Sequence, residues 1–166
     1  IALASEPEDN TLENVWFSGG EWEGWYFVSG ALAAKMTETD VVGFVGGRDY
    51  ALYAACAKAY EEGAKYVNPE IEVLSVFTGD FNELVKGKEA GVSQIENGAD
   101  VIIHTMNLGG FGLYQAAEEA DKKVWTIGKD IDQFPMAPNT VLTTVLIDVV
   151  MQMDKIFSQI AAGVKG

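Results

Sequence analysis

The chain has 166 residues, 48% of them hydrophobic, enough to bury the core of one domain or slightly more. With 11 Lys and Arg against 25 Asp and Glu the net charge is −14, which argues against nucleic acid or an anionic membrane surface as partner, because nothing offsets phosphate repulsion. No apolar run approaches the roughly 20 residues of a membrane-spanning helix, and the single cysteine, Cys56, excludes an intramolecular disulfide and a cysteine metal cluster.

Ile1 falls within a run, residues 1–4, that reads as a strand, and no methionine precedes it, so the start reads as processed or truncated. No signal peptide or lipobox is visible. A polar, acidic loop, SEPEDNTLE, separates this run from a second short strand at 14–18. A helix is predicted over 22–36. Its aromatic stripe of Trp22, Trp25, Tyr26 and Phe27 reads as core packing, and the small residues Ser29, Gly30, Ala31, Ala33 and Ala34 let it approach a neighbour closely, as an interface helix does. Residues 37–40 form a polar break, where we place a domain boundary.

From Val41 the pattern becomes regular. Apolar runs rich in β-branched residues predict strands at 41–45, 71–77, 100–105 and 123–127. Helices are predicted between them, near 49–66, 84–97 and 110–120. Leu113, Ala116, Ala117 and Ala120 recur at helical spacing and give the third of these one apolar face. A strand about every 25 to 30 residues is the rhythm of βαβ units, and right-handed crossovers then require an α/β fold of three layers, a parallel sheet with helices on both faces. Cys56 lies in an alanine-rich helix (AACAKA), where it reads as a small buried residue rather than a nucleophile. After Asp132 the loop QFPMAPNT is fixed by Pro135 and Pro138. A β-prone run at 140–144 and a last helix to about residue 162 follow.

In such sheets ligands collect beyond the carboxyl ends of the strands, so residues 106–112 and 128–133 should line a pocket. The turn NLGGFG, from Asn107 through Gly109 and Gly110 to Gly112, follows a strand and opens a helix. Neither GxGxxG nor GxxxxGK[ST] can be written through it, so a dinucleotide or triphosphate site is not expected. The helix N-terminus could hold a polar neutral group or a carboxylate through free N–H donors, with the glycines admitting a ligand to the backbone. In the loop TGDFNE, Asp80 or Asn82 caps the following helix with Phe81 as a hydrophobic staple, or Phe81 is a stacking plate flanked by polar contacts; the residues leave both readings open. Asp130 and Asp132 are two residues apart at a strand end. They suit general acid–base work, metal ligation, or acceptance of sugar hydroxyls, and with no third carboxylate or histidine nearby the sugar reading is preferred. His104, the only histidine, is expected to pack or hydrogen-bond at its strand end. No catalytic constellation and no metal site emerges.

Taken in order, VGFVGG (42–47), YEEGAKYVNP (60–69), TGDFNELVKGKE (78–89), ENGADVIIH (96–104) and IGKDIDQ (127–133) form a series that closely resembles the basic membrane protein family of ABC-transporter substrate-binding lipoproteins, the purine nucleoside receptor group. The resemblance implies a type I periplasmic-binding-protein-like fold with ligand clamped between two lobes. Residues 1–38 would end the first lobe, 39–139 would form the second, and 140–166 would be a strand and helix returning to the first. It implies a non-enzymatic protein without cofactor that binds a nucleoside-like ligand, a purine nucleoside by preference, outside the cytoplasmic membrane and serves an ABC permease. Base stacking passes to Phe81, ribose binding to Asp130, and backbone or small-residue contacts to Gly109 and Gly110. Asp80, Asn82, Asn107 and Asp132 are the further polar candidates. A lysine frequent in the family falls on Ile147, and an acidic first-lobe position falls near Ser5. Holding only part of such a cleft, the 166-residue chain should bind weakly by itself, and an exposed aromatic face on helix 22–36 should lead to self-association. The alternatives are a ligand-sensing effector domain of a receptor or repressor, and an α/β enzyme acting on nucleosides.

Overall fold

A computed structural model describes residues 22–164; the strands expected at 1–4 and 14–18 lie outside these residues. The described elements are α1 (Trp22–Met36), β1 (Val41–Gly46), α2 (Ala51–Val67), β2 (Glu72–Phe77), α3 (Leu84–Glu96), β3 (Val101–His104), α4 (Gly109–Glu118), β4 (Trp125–Asp130), a short 3₁₀ turn (Phe134–Met136), β5 (Val141–Leu146) and α5 (Val149–Ala161). The five strands form one parallel sheet in the order β2-β1-β3-β4-β5. The expected parallel sheet with helices on both faces is therefore present.

Side chains of a strand alternate between faces, and both faces here are apolar. Val42 and Phe44 of β1, Val101 and Ile103 of β3 and Ile127 of β4 pack with Tyr26 of α1 and with Cys56 and Tyr60 of α2. Val45 and Ile102, offset by one residue, pack on the other face with Ala90 of α3 and with Leu113 and Ala117 of α4. Cys56 is fully buried, and burial pushes its thiol up to about 12, so it is a packing residue.

The two helix pairs approach backbone to backbone through reciprocal glycines. A Cβ on Gly30 would fall 1.9 Å from the Tyr60 carbonyl oxygen, and one on Gly63 would fall 1.9 Å from that of Phe27. On the opposite face a Cβ on Gly87 would meet the Gly109 carbonyl at 2.0 Å, and one on Gly112 that of Leu84 at 2.0 Å. Four glycines thus set two interhelical distances that no larger residue permits.

Two expectations are corrected. The chain divides into two compact units, and Trp22–Leu146 is one of them, so the boundary expected at 37–40 falls inside a unit. The cause is the α1–α2 contact, reinforced where Asp100, buried at the start of β3, accepts from the Thr37 hydroxyl (2.5 Å) and the Glu38 amide (2.7 Å). The exposed aromatic face expected of α1 is also not found. Tyr26 is buried and Trp22, Trp25 and Phe27 are half-buried, because α1 lays this side on the sheet and on α2. The second unit contains α5, which opens with the Asp148 carboxylate accepting from the Met151 amide at 2.8 Å. Among the described residues no helix is long and apolar enough to cross a membrane.

Gly63→Ala should shift the urea unfolding midpoint down by the equivalent of about 1–3 kcal/mol, the usual penalty for overpacking, because the new methyl meets rigid backbone rather than a side chain that can turn away.

Candidate ligand-binding site

All the strands run the same way, so their carboxyl ends share one edge, and strand order reverses there between β1 and β3. The loop after β1 begins with Gly47, and the loop after β2 lies alongside it: the Thr78 amide donates to the Gly46 carbonyl (2.9 Å) and the Gly79 amide to that of Gly47 (2.7 Å). Asp80 closes this second loop. Its carboxylate accepts from the amides of Asn82 (2.7 Å) and Glu83 (3.0 Å), which hold its carboxyl below the usual range, while Arg48 stands 3.9 Å away. Asp80 thus forms a turn ahead of α3 and not its cap, since α3 begins at Leu84 with Glu83 at the N-cap and no side-chain cap bond. Asn82 is exposed beside it.

Phe81 does not staple α3. Its half-buried ring covers Gly47, where a Cβ would fall 2.2 Å from it, and packs against Tyr53 (5.2 Å between ring centroids) and Tyr50 (6.1 Å) of the α2 approach. The sequence reading missed these tyrosines. The signal was available, since Tyr50 and Tyr53 lie three residues apart just beyond the end of β1, where the fold presents its ligand contacts.

The glycine turn behaves differently from expectation. The amides of Asn107 (2.9 Å) and Gly109 (3.1 Å) donate to the Phe81 carbonyl, Gly110 donates to Asn107 (3.1 Å) and Phe111 to Leu108 (3.1 Å). These donors, expected to be free for a ligand, are therefore used within the protein, two of them tying the turn to Phe81. Gly109 and Gly110 are buried, and a Cβ on Gly110 would fall 2.4 Å from the His104 ring. These glycines admit side chains and backbone of the protein itself; Asn107 is exposed above them.

Asp130 ends β4, which runs three residues beyond its expected end because Lys129 and Asp130 still pair with Val145 and Leu146 of β5. Its φ is 70°, a left-handed conformation rare outside glycine and tolerated best by Asn and Asp. Its carboxylate lies 2.6 Å from Lys129 Nζ, and the Lys129 side chain is only 10% exposed. Tyr53 connects the aromatic and acidic parts of the edge: its phenol is pushed up, first by burial and then by the charge of Asp130. Asp132 is exposed and accepts from the Phe134 amide (3.0 Å), opening the 3₁₀ turn.

Beneath Asp130 lies a buried polar cluster. His104 is fully buried, with Nδ1 3.2 Å from both the amide and the carbonyl of Met106 and Nε2 facing Tyr114 Oη (2.9 Å) and Gln133 Oε1 (3.3 Å). Burial, then the Lys129 charge, lowers its pKa to about 4. His104 therefore hydrogen-bonds at its strand end, as expected.

The sequence profile of the Bmp family, ABC transporter substrate-binding proteins that are PnrA-like, matches residues 4–165. The chain belongs to this family. It is 36% identical over 146 residues to Basic membrane protein A of Borreliella afzelii, covering 88% of this chain and 44% of that relative, so it spans less than half the length of the curated relatives it matches. A solute-binding protein of an ABC transporter system from Aeropyrum pernix superposes with a TM-score of 0.75 at 22% identity, over 87% of this chain and 43% of that one. A transcriptional activator of the comK gene from Bacillus halodurans does so with a TM-score of 0.75 at 21% identity, over 90% and 52%. These likenesses place the fold among type I periplasmic-binding proteins. The Bmp family is one of transport substrate-binding proteins, not of enzymes.

His104 is the only histidine, so no other side chain ordinarily titrates between pH 7 and 5. Its folded pKa lies below the ordinary 6.5, so an unfolded chain takes up a proton that the native fold refuses, and stability falls as pH drops from about 6.5 towards about 4. Urea unfolding at pH 7 and 5 should show a loss on the order of 2 kcal/mol, and His104→Gln should abolish that difference.

Proposed function

We propose that this chain supplies a ligand-binding lobe of a Bmp-family solute-binding protein, which captures a nucleoside-like ligand outside the cytoplasmic membrane and presents it to an ABC permease. Trp22–Leu146 is the lobe, and the unit containing α5 begins the other. A purine nucleoside is the preferred ligand. The observation that carries this reading is the placement, on one carboxyl edge, of a three-ring cluster, Phe81 with Tyr50 and Tyr53, and of the Asp130 carboxylate at the end of β4.

The chemistry divides accordingly. The face of Phe81 suits a planar base, since stacking on an aromatic ring is indifferent to which base is offered. The Asp130 carboxylate is an acceptor with two oxygens, and neighbouring ribose hydroxyls supply two donors at matching spacing. Lys129 balances its charge, which suits a neutral ligand. Asp80, Gly109 and Gly110 serve from behind by fixing the Phe81 loop, while Asn82, Asn107 and Asp132 are exposed at its margins. An effector-domain reading draws on the fold shared with the Bacillus halodurans activator, but the family match favours transport.

Titration calorimetry of the full-length protein tests both parts. A 2′-deoxynucleoside should bind about fivefold more weakly than its ribo counterpart, the lower end of what an acceptor left unpaired costs. Asp130→Ala should bring the ratio near one without unfolding the protein; an unchanged ratio would move the ribose role to another residue. Phe81→Ala should cost about 1–3 kcal/mol of affinity with little change in melting temperature. A strong drop in melting temperature with affinity intact would make Phe81 a packing residue only.

A further inference from the structure

The turn at Asp130 is held by more than its own sequence. With φ at 70° and the Ile131 amide donating to the Lys129 carbonyl (2.9 Å), residues 129–131 form a γ-turn of positive φ, a strained form that persists only where its surroundings over-determine it. Those surroundings converge on one atom. The Gln133 side-chain oxygen accepts from the Lys129 amide (3.2 Å) and from the Tyr114 hydroxyl, and His104 Nε2 lies 3.3 Å from it. The Gln133 amide donates in turn to the Thr144 hydroxyl (3.3 Å). Gly128 leaves the space this requires, since a Cβ there would fall 2.5 Å from Gln133 Oε1 and 2.9 Å from Thr144 Oγ1. Gln133 thus ties β4 and α4 through its side-chain oxygen and β5 through its backbone amide, with His104 of β3 alongside, and the Lys129 and Tyr114 donors occupy both lone pairs of that oxygen.

We infer that Gln133 is a positioning residue, which acts through the Lys129 backbone to hold the Asp130 turn and so aims the Asp130 carboxylate at the ligand edge. The inference rests on the reading of Asp130 as the ribose contact. Gln133 itself touches no ligand. Its oxygen stabilises the conformation in which Lys129 Nζ reaches the Asp130 carboxylate at 2.6 Å and fixes it from the protein side.

The test uses the full-length protein, adenosine and 2′-deoxyadenosine as probes, and hydrogen exchange without ligand. Gln133→Met keeps the length of the side chain and removes the oxygen. It should reduce the deoxy-to-ribo ratio of Kd values from about fivefold to within about twofold, and leave the ratio unchanged when introduced into Asp130→Ala. Without ligand, exchange of the Ile131 amide should quicken about tenfold relative to an amide in β3, because the turn opens locally. Gln133→Glu keeps an acceptor for the Lys129 amide and the Tyr114 hydroxyl and should restore both readouts. If Gln133→Met does not fold, Tyr114→Phe, which removes one donor, should move both in the same direction by less. Equal weakening of both nucleosides with unchanged exchange at Ile131 would overturn the inference and leave Gln133 a stability residue only. If Asp130→Ala leaves the ratio unchanged while exchange at Ile131 still responds to Gln133→Met, the ribose reading falls and the latch on the turn stands.

Discussion

Strand β1 pairs in parallel with two neighbours, β2 on one side and β3 on the other. Because each crossover between parallel strands is right-handed, a chain that moves from β1 to β2 and then returns past β1 to β3 must change faces. α1 and α2 therefore cover one face, and α3 and α4 the other. The same reversal opens a crevice in the strand order at the carboxyl edge, where loops from the two sides of the sheet diverge. Phe81 comes from one side and Asp130 from the other, and their common setting depends on that one topological event.

Both faces then need helices that lie flat and close. Four glycines accomplish this in two reciprocal pairings, Gly30 with Gly63 and Gly87 with Gly112 across their partners' carbonyls. Glycine weakens a helix by about 1 kcal/mol against alanine, so its presence inside α1, α2, α3 and α4 signals backbone contact. The NLGGFG turn belongs to the same system. Gly109 and Gly112 face α3, and Gly110 makes room for His104. A glycine-rich turn between strand and helix can admit a ligand or a neighbouring helix, and here the neighbours fill the space.

The candidate site has a common physical pattern, a strained and charged group above a satisfied polar base. Asp130 takes a left-handed conformation, and the cluster of His104, Tyr114 and Gln133 below it is buried with its hydrogen bonds made. Low local dielectric strengthens such bonds and penalises breaking any of them. That combination fixes a carboxylate in place in a region whose outer residues Asp132 and Asn107 are exposed.

Apolar patterning was enough to place the described strands and helices, because β1, β3 and β4 are buried runs of apolar, β-branched residues and α2 to α4 repeat their apolar positions at helical spacing. The place of Asp130 and Phe81 on a ligand edge was legible for the same reason, since a parallel sheet gathers the loops leaving its strands on one rim. The family resemblance was legible in motif order. The rest was not, because it depends on pairs of residues distant in sequence that carry no local signal. α1 joins the unit of β1 through its contact with α2, across Gly30 and Gly63, and through Tyr26 packed on the sheet, so a polar break at 37–40 gives no sign of it. Nothing in KDIDQ announces a positive φ at its first aspartate, because that conformation is fixed by Gln133 bonding to groups on β3 and α4. The choice between a ligand and a helix at Gly109 and Gly110 was likewise made by α3 and His104, whose approach no stretch of local sequence encodes.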